Sequence, residues 1–249
     1  MVLIDDGSTD GTAELVKREI VNLTVITGKG NWWWGGALHQ GYKWIKKKTN
    51  NTPSFILIIN DDTEFEPDFL QTGINLIKDN PGTIIQAGAY GKKSRKLTEQ
   101  GSHFNYRKLT FSPPQKTEDI NCLTTRGLLM HRKDFIKIGG FYPRILPHYL
   151  SDMEYTIRAS RKGLKLITHP AFKLVMLEDE TGYSEIKETS FIKFLKKHYE
   201  FKNMMNPIHW IAFVFLVCPF PYNFKNLGLV LKREYYLLLE QRIKLKSLT

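Results

Sequence analysis

Two rhythms of apolar and polar residues run through the first two thirds of the chain. Val2-Leu3-Ile4 is a short apolar run that stops at Asp5-Asp6-Gly7-Ser8, which is turn chemistry. Ser8, Thr9 or Asp10 can cap the helix predicted from Thr12 to Ile20. Leu23 to Ile26 reads as a β-branched strand, Gly28 to Gly36 as a Gly/Trp loop, and Ala37 to Lys48 as a helix. Phe55 to Ile59 is an uninterrupted apolar run, which predicts a strand buried on both faces. Pro67 to Lys78 reads as a helix with its proline near the start, and Thr156 to Gly163 as another. Ile84 to Ala89 and Leu128 to Met130 read as further strands. Such alternation predicts an α/β fold, a mostly parallel sheet covered by helices. Ligands of such sheets bind beyond the carboxyl ends of the strands. The acidic turns after Ile4 and Ile59 fall there, so both are expected to face one site.

Beyond Ser184 the pattern changes. Phe191, Phe194, Leu195 and Tyr199 interleave with Lys193, Lys196, Lys197 and Lys202 at helical spacing, and Asn226 to Leu248 predicts a second basic helix. The chain therefore divides into residues 1–183 and a basic helical appendage, 184–249. Pro207 to Tyr222 is apolar but shorter than the ~20 residues of a membrane span, so it reads as a core or an interfacial helix. The chain has 249 residues, 42% hydrophobic and 24% charged, which predicts a packed core rather than disorder. A net charge of +11 favours an anionic partner, whether membrane surface, nucleic acid or phosphorylated ligand, or else a solvated lysine-rich surface. The lysines do not cluster with aromatics on a recognition element, which argues against nucleic acid. Cys122 and Cys218 lack metal or redox spacing and read as two buried thiols in a reduced, cytoplasmic compartment. Asp5-Asp6 falls where a secretory signal needs an apolar core.

Three constellations carry chemistry. In Asn60-Asp61-Asp62-Thr63, two adjacent carboxylates at a strand end repel unless a cation balances them. Mg²⁺ or Mn²⁺ suits such hard oxygen ligands, shares them with phosphates, and neutralises a departing pyrophosphate. A solvated acidic turn is the other reading. Asp5, at the end of its strand, can accept from a nucleobase N–H while Gly7 and Gly11 let the backbone turn tightly. Asp152 falls in the first turn of a helix, where the dipole is expected to keep it ionised and able to take a proton from an acceptor hydroxyl. Helix capping by Ser151 or Asp152 is the alternative. Among Trp32-Trp33-Trp34, at least one indole belongs to the core, and Trp34, beside Gly35-Gly36, is assigned to the ligand. Arg126 either faces a pyrophosphate or makes a surface salt bridge, and His148, four residues before Asp152, is placed at the acceptor cleft.

Taken in order, Asp5-Asp6-Gly7-Ser8-Thr9-Asp10-Gly11, Gly30 to Ala37, Asn60-Asp61-Asp62 and Leu146 to Arg158 resemble the family 2 glycosyltransferases of GT-A fold. The nearest flavour is the rhamnosyltransferase-like group of bacterial surface-polysaccharide enzymes. The resemblance spans roughly residues 1 to 180. It implies an inverting transfer from a UDP- or dTDP-sugar to a saccharide or lipid-linked acceptor. It further implies Asp5 at the base, Asn60 and Asp61 at the donor, Asp62 as the metal ligand, Asp152 as the catalytic base and Glu154 in support on the acceptor side. Asn60 stands where the family has its first Asp, Ser151 where many relatives have Glu, His39 where they have Asn, and Met176 or Leu177 where they have a histidine. The family fold begins with a strand and helix ahead of the Asp5 motif, so the chain reads as N-terminally truncated, with the strand at Phe55 to Ile59 short of a neighbour. An inactive binding or scaffold module is the alternative. The basic appendage fits peripheral contact with anionic lipid on the inner face of the cytoplasmic membrane.

Overall fold

A computed structural model describes residues 1–48, 54–177, 188 and 190–246. The elements in chain order are β1 (Val2–Asp5), α1 (Thr12–Glu19), β2 (Thr24–Thr27), α2 (Trp33–Lys47), β3 (Phe55–Ile58), β4 (Thr63–Glu64), α3 (Phe69–Ile77) and β5 (Thr83–Gly91). Then follow β6 (Leu97–Glu99), β7 (His103–Asn105), β8 (Thr110–Ser112), β9 (Leu128–His131), α4 (Arg132–Ile138), α5 (Ser151–Arg161) and β10 (Lys165–Met176). Three helices close the chain: α6 (Phe191–His198), α7 (Pro207–Val217) and α8 (Tyr222–Lys246). The boundary placed at Ser184 lies outside the described residues, as does Leu248.

The α/β class and the helical C-terminal region are as expected. The main sheet is mixed, in the order β3-β9-β5-β10-β4, with β6 on β5. Its parallel pair is β5–β10, whereas β9 runs antiparallel to both β3 and β5. β1 and β2 form a separate parallel pair. The acidic turns after β1 and β3 therefore do not share a sheet, and among the described residues β3 has one ladder partner, β9. β1 and β2 are held instead through α2. Gly41 leaves room for Ile4, whose Cδ1 lies 2.7 Å from where a Cβ on Gly41 would sit.

Both faces of β3 are covered, as its unbroken apolar run predicts. Ile56 and Ile58 join a core with Leu128, Met130, Phe135 and Tyr155, while Phe55 and Leu57 pack against the core of Ile85, Phe172 and Leu174. A third core joins the two parts of the chain. Phe213, Val214 and Val217 of α7 pack with Leu146, Leu150 and Ile157, and Arg161 donates to the carbonyl of Leu216 at 3.2 Å. At the start of α7, Asn206 accepts from Ile208 N–H at 2.9 Å, and Pro207 occupies the first turn, where its missing N–H costs nothing. The appendage is thus docked on the α/β part by one face. Its other face leaves Phe215, Phe220 and Phe224 exposed. Cys122 and Cys218 are buried free thiols, as expected.

Gly35 is where α2 meets the loop before α5. Its N–H donates to Pro147 O at 2.8 Å, and a Cβ there would lie 2.6 Å from Leu146 O and 3.0 Å from Ser151 Cβ. Gly35→Ala is expected to cost about 1–3 kcal/mol, the usual range for overpacking against backbone. Gly228→Ala, in open space on α8, should instead stabilise by about 0.5–1 kcal/mol. Urea unfolding midpoints of the two variants check both signs.

Candidate active site

The first acidic side chain is placed by a clamped turn. β3 runs into Asn60-Asp61-Asp62, and Thr63 Oγ1 donates to Asn60 O at 2.7 Å. β4 then pairs with the end of β10, and Leu177 N–H donates to Asp62 O at 3.2 Å. Arg126 comes to meet this turn. Gly127 after it has φ +64°, and a Cβ there would lie 2.7 Å from Leu174 and 2.8 Å from Ala87, so only glycine lets the chain enter β9 this closely. The Arg126 guanidinium donates through Nη1 to Asp62 Oδ1 and through Nε to Glu99 Oε1 at 3.3 Å. The arginine and aspartate side chains are only 9% and 11% exposed, so this is a buried ion pair and not the surface salt bridge that was the other reading. Glu99 Oε2 accepts from Thr124 Oγ1 at 2.6 Å, and the fully buried Gln86 reaches the same threonine through Nε2.

Residue 125 carries the link to the second carboxylate. Trp34 Nε1 donates to Thr125 Oγ1 at 2.9 Å, and backbone amides of Met153 and Thr125 donate toward Asp152. Asp62, Glu99, Arg126, Trp34 and Asp152 are therefore brought together by three consecutive residues, Thr124-Thr125-Arg126. Asp152 sits in the first turn of α5, as expected, but neither it nor Ser151 caps the helix. The N-cap position is Leu150, which has no side-chain cap, and Ser151 Oγ donates to His148 O at 2.6 Å. The expectation that the dipole holds the Asp152 pKa low is overturned. Burial pushes it up to about 6, and the nearby Glu99 charge adds to the rise, against the lowering by the amide donors.

The tryptophan loop is held by a residue outside the expected set. Asp6 Oδ1 accepts from Gly30 N–H at 2.9 Å, and its Oδ2 accepts from Trp32 and Trp33 N–H at 2.7 and 3.1 Å. This remote carboxylate satisfies orphan donors at the start of α2. The helix consequently begins at Trp33, four residues before the expected Ala37. The Asp5 carboxylate is buried and accepts from Ser8 N–H at 2.9 Å, and among the described residues no hydrogen bond joins it to Asp62 or Arg126. Asp61 is exposed. His148 stands beside the Trp33 ring, with centroids 6.4 Å apart. Glu154 is corrected from the acceptor side to the interior. It is 2% exposed and holds Arg158 in a fork with both oxygens, at 2.8 and 2.9 Å, while Arg158 also binds the carbonyls of Ile138 and Gly140.

The residues around Asp62 suit a hard divalent cation. Asn60 Oδ1 is a buried acceptor without a partner, two residues from the Asp62 carboxylate, and the donors are all oxygens. Among the described residues no group of three or more His, Cys, Asp or Glu could hold a metal alone. Further ligands would have to come from phosphate or water.

The model of glycosyl transferase family 2 matches residues 1–139, more than half of the chain. The chain belongs to this family. Solved structures add the fold. S. aureus TarS 1-349 in complex with UDP-GlcNAc aligns with a TM-score of 0.55 at 14% identity, over 94% of this chain and 63% of that one. The mannosyltransferase PcManGT from Pyrobaculum calidifontis with GDP-Man and Mn²⁺ aligns at 0.52 and 14%, over 99% and 70%. GalNAc-T7 with UDP, GalNAc and Mn²⁺ aligns at 0.52 and 12%, over 71% and 36%. This chain thus spans little more than a third of the GalNAc-T7 chain and under two thirds of the TarS chain. The architecture of this family 2 member is of the GT-A type.

A raised carboxylate pKa has a stability signature in this protein. The native state binds the Asp152 proton more tightly than the unfolded chain does. That contribution is complete below about pH 4 and is lost as pH rises through about 6. Asp152→Asn, which mimics the protonated form, should therefore stabilise the protein at pH 7.5 by about 1–3 kcal/mol. The gain should shrink as pH falls and vanish below about pH 4. Denaturant titrations of both proteins at three pH values give the comparison.

Proposed function

We propose that the chain is an inverting transferase moving a sugar from a nucleoside-diphosphate sugar to a saccharide or lipid-linked acceptor, in surface-polysaccharide synthesis. The observation that carries this reading is the Thr124-Thr125-Arg126 segment, which ties the Asp62 turn to Asp152. Asp152, with its pKa near 6, is unprotonated at neutral pH yet basic enough to accept a proton from an acceptor hydroxyl as its oxygen attacks the anomeric carbon. Arg126 offers a fixed planar cation for the diphosphate, and its forked donors suit phosphate oxygens as well as carboxylate. Asp62 and Asn60 would hold Mg²⁺ or Mn²⁺, which when bound supplies further positive charge against the leaving nucleoside diphosphate. Trp34, Gly35 and Asp61 are assigned to the donor side, Asp5 to the nucleobase and His148 to the acceptor. The donor base is proposed as uracil or thymine and the sugar as a hexose, rhamnose included; TarS and PcManGT were solved with UDP-GlcNAc and GDP-Man.

Donor turnover tests this reading. Release of free nucleotide from UDP- and dTDP-hexoses should drop by at least about a thousandfold in Asp152→Ala when a competent acceptor is supplied. In the parent protein kcat/KM should fall tenfold per pH unit below about 6 and level off above it, as expected for a base that must be ionised. Unchanged turnover in the variant would remove Asp152 from the role of base.

The C-terminal region is proposed to rest on an anionic membrane surface. No described helix is long and apolar enough to cross a bilayer. Phe215, Phe220 and Phe224 nevertheless stand 47%, 79% and 59% exposed around the turn between α7 and α8, with Phe224 in edge-to-face contact with both of the others. Lys225, Lys232 and Arg233 follow on α8. Aromatics flanked by cations suit the interface of an anionic bilayer. Sedimentation with phosphatidylglycerol vesicles should capture the protein, and Phe220→Ser with Phe224→Ser should reduce capture at least fivefold. Equal capture of parent and variant would contradict the proposal.

A further inference from the structure

Ahead of Asp152 in the fold, four side chains from both parts of the chain lie near one another without hydrogen-bonding to one another. Trp33 has φ +57°, a conformation costly for a non-glycine residue, and it is held there by the Asp6 carboxylate. Its ring faces His148, and the ammonium of Lys202 lies 4.7 Å from its centroid. Lys202 makes no ion pair among the described residues. His209, on α7, is 3% exposed and stacked on Phe201 at 5.8 Å. The Nδ1 atoms of both His148 and His209 are buried and lack any partner.

Buried ring nitrogens without partners are costly unless a ligand or water completes them. Here one of them, on His148, lies beside the Trp33 ring that the Lys202 ammonium covers. Burial holds the pKa of each histidine down, and Lys202 and His209 add to the lowering at His148. Such a cluster is electrostatically unfinished, and an anion completes it. Phosphate oxygens accept from an ammonium and from imidazole N–H groups in short charge-assisted bonds, whereas a neutral sugar hydroxyl leaves the lysine charge unbalanced.

We propose that Trp33, His148, Lys202 and His209 form a subsite for a phosphate group of the acceptor, so that the C-terminal helices complete the acceptor site. The proposal rests on Asp152 as the base, because His148 O accepts from Ser151 Oγ, directly ahead of that carboxylate. The phosphate can come from a lipid carrier or from a phosphate-bearing saccharide. Phe201, 60% exposed beside His209, offers an apolar surface that only the lipid source would use.

The test uses the full chain with UDP held at saturation, so that added phosphate cannot occupy the donor site. Methyl phosphate should raise the NMR titration midpoints of His148 and His209 together, and Lys202→Ala should weaken its binding about tenfold. UDP affinity, measured separately by calorimetry, should be the same in parent and variant. Loss of UDP binding in the parent would count against the donor site, not against this one. A short-chain prenyl phosphate that binds more tightly than methyl phosphate, with the difference erased by Phe201→Ser, identifies a lipid source. Equal affinity identifies a phosphate-bearing saccharide. Histidine midpoints indifferent to methyl phosphate, or binding unaffected by Lys202→Ala, would overturn the subsite.

Discussion

The guanidinium of Arg126, set between Asp62 and Glu99, is the interaction on which the candidate site depends. It joins three segments that are distant in sequence: the turn after β3, the short strand β6 and the approach to β9. Each carboxylate is largely removed from water, so neither tolerates loss of the cation. Taking one partner from a buried ion pair generally costs about 3–5 kcal/mol, because the remaining charge is stranded. The geometry around the pair follows from the same constraint. Gly127 must adopt a positive φ in a space too small for a Cβ, and that sets the direction of Arg126 and of the threonines before it. Thr124 then completes Glu99, and Thr125 receives the Trp34 indole and reaches Asp152.

Two further supports hold the cleft from outside. Asp6 ties the turn after β1 to the start of α2, so the separate β1–β2 pair fixes the tryptophan loop although it shares no ladder with the main sheet. The third core buries one face of α7 against α5 and the loop before it. The basic C-terminal helices therefore do two things at once. They pack against the wall that carries Asp152, and they present an aromatic, cationic outer surface. This combination is why a reading of the appendage as packing and a reading of it as a membrane contact are compatible.

Much of this was legible in the residues. The turns at Asp5 and Asn60 announced themselves because apolar strands end on carboxylates and glycines, and α6 because its aromatics and lysines interleave at helical spacing. The family resemblance implied a metal-ligand role for Asp62 and a base role for Asp152 in one reaction. Other features depend on contacts that no local pattern records. Glu99 lies in a lysine-rich stretch with no motif, and only the pairing of β6 with β5 delivers it to Arg126. β10 is interrupted by His169-Pro170-Ala171, with a shift in register there, which hid it as a strand. α2 starts early because a carboxylate 26 residues away in sequence caps it. The helix position of Asp152 suggested a low pKa, whereas burial, invisible in sequence, raised it. Glu154 matched an acidic position of the family but serves Arg158 in the interior.

The central claim is that the Asp62–Arg126 end of the cleft receives a nucleoside diphosphate. Calorimetric titration of UDP and dTDP, with and without Mn²⁺, into the chain and into Asp62→Ala tests it most directly. The account predicts binding strengthened by Mn²⁺ in the parent, with that strengthening lost in a variant that remains folded. Absence of nucleotide binding by the folded parent, or binding in Asp62→Ala that keeps its full response to Mn²⁺, would contradict it.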